Sequence, residues 1–162
     1  INMYLGRKHG LVPDNPVGDV RTLQMLLTVS DVVSEVHDTH HPVSVALLYE
    51  EQKPEALKRA SVFVQDRLPI WLNFFNTALG DSDWIIENQP SVADLSLFQL
   101  VRGLEYAFPK AFTKAAPKSL RAHRHRVANL PNISNYLQSD RAQPFNENGI
   151  FRQYPELDLL EI

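Results

Sequence analysis

The chain has 162 residues, with 16 basic against 19 acidic side chains, six histidines, no cysteine and 44% hydrophobic residues. A globular chain of this size buries about 70% of the surface its unfolded form exposes, so it needs no covalent staple. The missing cysteine excludes disulfides, thiol catalysis and thiolate-held zinc or iron–sulfur centres and fits a reducing, cytoplasmic setting, and no apolar run approaches the roughly 18 to 20 residues that cross a bilayer.

Residues Ile1 to Lys8 read as the end of a helix that stops at Gly10. Leu11-Val12-Pro13-Asp14-Asn15-Pro16 reads as a linker by composition. A linker so near Ile1 predicts that a domain precedes it. From Asp19 to Val36, the residues Val20, Leu23, Leu26, Leu27, Val29, Val33 and Val36 recur at steps of three and four and define an inward stripe. Met25, Thr28 and Val32 define a second stripe, expected to stay partly wet in a monomer and to meet a partner subunit.

The longest helix is predicted from Pro54, a good first-turn residue, through Leu57, Ala60, Val64, Leu68, Trp71, Phe75 and Ala78. Pro69 lies inside it and predicts a kink. A third helix opens at Ser91-Val92-Ala93-Asp94, a capping box with Asp in place of the usual Glu. Its apolar residues from Leu95 to Phe108 cover more than one face, which predicts the middle of a bundle, and Pro109 is expected to end it. Arg102 and Glu105, three apart, are expected to pair. Lys118 to Asn129 and Ile133 to Leu137 read as two further helices, and the segment beyond Asp140 as an irregular tail. The predicted fold is all-α, a bundle of four to six helices, with boundaries at 1–10, 11–17, 18–140 and 141–162.

Between Glu105 and Asp140 there is no acid, while Lys110, Lys114, Lys118, Arg121, Arg124 and Arg126 fall there. The reading adopted is a solvated helical face; a nucleic-acid or acidic-partner patch is the lesser alternative. His37 and His41 are four apart beside Asp38, a spacing that puts two imidazoles on one helical face. No distant residue completes a metal signature, and Pro42 follows at once, so the segment is read as a polar helix end and no metal is assigned. His123 and His125 read as surface, Trp71 and Trp84 as core and loop anchors.

In order and spacing these features resemble the all-helical C-terminal domain of cytosolic glutathione transferases, nearest the pi, sigma, alpha and mu group. Tyr4 to Leu11 is similar to the last helix of that family's thioredoxin-like domain and the start of its linker. Pro69 falls where pi-class members also carry Pro, and Ser91 to Leu95 resembles the capping box of the buried central helix. Lys118 to Leu137 is similar to the terminal helices, and Pro144 to Gly149 to the pi-class ending. Before the capping box, where the family usually carries Gly and an aliphatic residue, this chain has Glu87 and Pro90.

The resemblance implies conjugation of reduced glutathione, a co-substrate and not a cofactor, to electrophiles by a homodimer without a membrane partner. It places the thiol-activating residue in the thioredoxin-like domain, so no catalytic residue is assigned here. By the same resemblance, Glu35 stands where an acid reaches the glutathione amine of the partner subunit. His41, Val45, Asn146 and Glu147 align with positions around the electrophile pocket; Ser91 and Asp94 are structural. The alternatives are a non-catalytic interaction module, as in elongation-factor or tRNA-synthetase assemblies, and a structural relative of the lens crystallin kind.

Overall fold

The computed structural model describes residues 1–158; the end of the expected tail, 159–162, lies outside the described residues. Among the described residues eight α-helices follow one another: α1 (Asn2–Lys8), α2 (Pro16–Asp38), α3 (Lys53–Val62), α4 (Leu68–Leu79), α5 (Val92–Ala107), α6 (Pro109–Ala115), α7 (Lys118–Ala128) and α8 (Pro131–Leu137). No strand occurs among the described residues. Proline sits in the first two positions of α2, α3, α4, α6 and α8, where its missing N–H leaves no intrahelical bond unmade. Pro109, expected only to end the third predicted helix, therefore also starts another.

Helices α3 and α4 form one rod interrupted by a π turn over Phe63–Arg67. The kink expected at Pro69 takes this form: the wide turn lies just ahead of the proline, which then occupies a first-turn position of α4. Helix α5 is the centre, packed against α2, α6, α7 and α1. Leu97, Leu100, Val101, Leu104 and Ala107 are all buried along it, and the core continues into Phe63, Leu68, Leu72 and Phe75 of the rod and Phe112 of α6. Phe63 and Phe108 rings meet at 5.2 Å.

The phase of α2 differs from expectation. Gly18, Thr22, Met25, Val32 and Val36 are its buried residues, while Val20 and Leu27, assigned inward, are 65% and 58% exposed. Apolar residues occupy two faces of this helix, and periodicity alone does not say which one meets α5. The wet face is the one carrying Val17, Val20, Leu23 and Leu27.

The start of α5 carries the densest polar arrangement. Asp94 is buried, and its carboxylate accepts from the N–H of Ile85 (2.9 Å), the N–H of Ser91 (2.8 Å), the Ser91 hydroxyl (2.6 Å) and Nε2 of His123 (2.8 Å). The capping box thus also ties the 80–90 loop and α7 to α5. His123, expected at the surface, is fully buried, because α7 turns that position toward the Asp94 carboxylate. Arg102 and Glu105 do not pair: Glu105 holds Arg124 of α7 at 2.9 Å, and Arg102 lies over the rings of Phe98 and Phe145.

Burial acts to raise the Asp94 carboxyl, but the bonds from His123, Ser91 and Ile85 outweigh it and hold the group below the usual carboxylate range. A depressed folded value contributes stability that is complete above the unfolded pKa of about 3.9 and is lost as pH falls through the folded value. Asp94→Ala orphans four buried donors and should cost about 3 to 5 kcal/mol at pH 7 in urea unfolding. The gap from the parent should narrow below about pH 4. A loss under about 1 kcal/mol, the size of a lone N-cap, would contradict the network.

Candidate functional site

Two segments outside the core define the candidate site: the turn that ends α2 and the tail that crosses α5. Thr39 follows Asp38, and its hydroxyl donates to Val36 O at 2.7 Å. The amides of His40 and His41 both donate to His37 O, so a further turn persists before Pro42. His37, His40 and His41 therefore share one face, with ring centroids 4.8 to 5.1 Å apart. Nε2 of His40 lies 2.8 Å from Ile150 O, an acceptor only, so Nε2 carries the proton and Nδ1 presents a lone pair toward His41 Nδ1. Burial pushes His40 down to about 4, and burial with the charges of Arg152 and His37 lowers His41.

The loop after Pro42 is held by Gln52, a buried side chain that no sequence motif marks. Its carbonyl oxygen accepts from the amides of Val43 (2.9 Å) and Ser44 (3.3 Å), and its amide donates to Ser44 O (3.0 Å) and Leu47 O (3.1 Å). All its bonds go to one loop, which they fold over itself. Val45, on that loop, is 75% exposed.

Besides the His40 bond to Ile150 O, the tail is fastened at four points. Phe145 stacks on Tyr106 of α5 at 4.9 Å, and the Tyr106 hydroxyl donates to Glu147 at 2.7 Å. Glu147 also accepts from the Gln153 amide at 3.0 Å, whereas Asn146 bonds only within its own turn, to Asn148 N. Phe151 lies flat over Gly103: a Cβ there would come within 2.4 Å of the ring. Tyr154 stacks on Tyr49 at 3.9 Å, and Glu156 takes both Lys53 (2.7 Å) and the Tyr49 hydroxyl. Finally the Asp158 carboxylate accepts from the amides of Lys110 (2.7 Å) and Ala111 (3.0 Å), capping α6 from a distant part of the chain.

His41 and the tail are thus linked through the His40 contact with Ile150, while Val45 stands apart on its loop. A shallow pocket of about 240 Å³ lies beside the Glu147 partner, lined by Arg102, Glu105, Tyr106, Arg124 and Phe145. Glu35 lies elsewhere, on α2, with both carboxylate oxygens on Arg67 at 3.0 and 2.7 Å. That paired guanidinium, which itself lies over Trp71, lowers the Glu35 carboxyl. Half of the cations of the acid-free stretch are engaged inside the chain, Arg121 donating to carbonyls of Phe112, Thr113 and Ala116, Arg124 pairing with Glu105 and Arg126 with Asp83, while Lys110, Lys114 and Lys118 are exposed.

A central buried helix opened by a capping box, a helical rod interrupted by a π turn and a tail that crosses α5 make the arrangement that the sequence resemblance implies. Residues 37–140 match the family described as "Glutathione S-transferase, C-terminal domain", and the chain belongs to that family. A glutathione S-transferase of Plasmodium falciparum is 24% identical over 142 residues, 83% of this chain and 60% of the relative. The chain therefore spans about three fifths of that relative's length. Among solved structures, the Onchocerca volvulus pi-class glutathione S-transferase overlays with a TM-score of 0.65 at 19% identity, covering 83% of this chain and 60% of the other. Prostaglandin synthase D of Nilaparvata lugens gives 0.73 at 20% identity, covering 89% and 67%. At these identities the structural likeness establishes the fold.

If the tail is seated by Gly103, a methyl group there must displace Phe151. Gly103→Ala should leave helix content unchanged, since Ala favours helix, while protease cleavage within 141–158 rises several-fold. Unchanged cleavage would contradict the tail packing.

Proposed function

We propose that this chain forms the electrophile-binding and subunit-contact part of an enzyme that conjugates reduced glutathione to apolar electrophiles. The observation that carries this reading is the tail, which is held on α5 by Tyr106 and Gly103 and reaches the histidine turn at Ile150. It gives one side of the bundle an ordered wall of Phe145, Phe151 and Tyr154. Glutathione itself would be held and activated by a thioredoxin-like domain ahead of α1, because attack on an electrophile at neutral pH needs the thiolate and a residue that lowers the thiol pKa.

The wet face of α2 supports a homodimer, since Val17, Val20, Leu23 and Leu27 form an apolar stripe that an isolated chain leaves in water. Glu35 is the acid nearest the role of a cross-subunit contact to the glutathione amine, and Arg67 fixes its orientation for it. Against the interaction-module alternative stands the engagement of Arg121, Arg124 and Arg126 within the chain, which leaves Lys110, Lys114 and Lys118 as the exposed cations of that stretch.

The 162-residue chain should show no conjugation of an aromatic electrophile above background, whereas a longer chain with a thioredoxin-like domain before Ile1 should be active and dimeric. In that chain Glu35→Gln should weaken glutathione binding about tenfold, near 1.4 kcal/mol. Turnover by the 162 residues alone, or an inactive longer chain, would overturn the proposal.

A further inference from the structure

The turn after α2 gathers three imidazoles that conjugation chemistry does not require. One ring nitrogen from each of His37, His40 and His41 lies within 4.8 Å of the other two. The arrangement is built in: the residues stand at i, i+3 and i+4, and the amides of His40 and His41 both bond to His37 O. His40 is 1% exposed and shows the pattern of a metal-ligating histidine. Its Nε2–H is spent on a backbone carbonyl, Ile150 O at 2.8 Å, which fixes the tautomer and the ring plane and leaves Nδ1 as a lone-pair donor facing the cluster.

Nδ1 of His41 lies 2.5 Å from Nδ1 of His40. A tetrahedral ion with metal–nitrogen bonds of about 2.0 to 2.1 Å sets its ligand nitrogens about 3.3 Å apart. To reach that spacing the His40–His41 pair must open and the separations of up to 4.8 Å within the cluster must close, both by rotation of the imidazoles about their side-chain bonds. His37 and His41 are half exposed, so an ion and a fourth, water ligand have a route from solvent. The turn also stands at the C-terminal, negative end of a 23-residue helix, which favours a cation.

We propose that His37, His40 and His41 form a binding site for one divalent late first-row transition ion, of the zinc, nickel or copper type, completed by water. Three neutral imidazoles suit these ions and offer nothing to magnesium or calcium, which take oxygen ligands. Arg152, the charged group near His40 and His41, opposes any cation there. It sharpens the choice toward ions that bind imidazole strongly, since bare electrostatic attraction is weakened. Its Nε donates to Gly149 O at 2.7 Å. The spacing of His37 and His41 alone reads as a polar helix end; the third ring and its carbonyl partner, 110 residues away, make the site.

Calorimetric titration of the 162-residue chain with Zn²⁺ tests this, with Co²⁺ as a spectroscopic substitute. The expected result is one equivalent bound, the intense visible absorption of four-coordinate cobalt, and at least a tenfold loss of affinity in His37→Ala and in His41→Ala. Both rings are half exposed, so these variants report on binding even if His40→Ala fails to fold. His9→Ala and His125→Ala should bind as the parent does. Zn²⁺ affinity in the His37→Ala/His41→Ala double variant within twofold of the parent, or no binding by the parent, would overturn the site.

Discussion

Removing the Asp94 carboxylate from water is costly, and the fold is arranged so that it never lacks a partner. Two backbone amides, one hydroxyl and one imidazole meet its oxygens between 2.6 and 2.9 Å. These partners come from three places: the turn that starts α5, the loop after α4, and α7. Hydrophobic burial pulls the helices together without specifying register. A buried anion with four directed bonds does specify it, because a slip of α7 by one residue would strip His123 of its acceptor and Asp94 of one of its four donors. Trp84 packs against the His123 ring edge at 6.3 Å and is covered by Arg126, which extends the junction to the surface.

From that junction the site follows by geometry. With α5 fixed, Tyr106 and Gly103 on its far half present a polar hook and a flat seat for the tail. The tail then runs past the end of α2, where Ile150 O orients His40, and closes on α6 through Asp158. Helices α3, α5 and α6 and the turn after α2 thereby share one irregular segment. Displacing it at any one point loosens its hold on the others.

Much of this was legible in the sequence where the signal is local. Ser91 and Asp94 announce the start of α5 by their spacing, and the apolar run after them announces its central place, as the structure has it. The π turn near Pro69 was legible as a kink. Non-local features were not: the His123 bond to Asp94 spans 29 positions and the Asp158 cap on α6 spans 47 and 48, and neither has a periodic signature. Helix α2 shows the limit of pattern reading, since it has apolar residues on two sides and the core chose the side with Met25 and Val32. Of the proposed site residues, the position of His41 at the helix end was readable, but its connection to the tail depends on Ile150, an exposed residue that no motif marks.

The central claim is that the Asp94 carboxylate locks the 80–90 loop and α7 onto α5, and amide hydrogen exchange of Ile85 and Ser91 tests it most directly. Both amides lie outside regular helix hydrogen bonding, so without the lock they would exchange at loop rates. The account predicts that they exchange as slowly as Leu100 and Leu104 in the middle of α5, and that Asp94→Asn accelerates both. Fast exchange at Ile85 and Ser91 in the parent chain would contradict it.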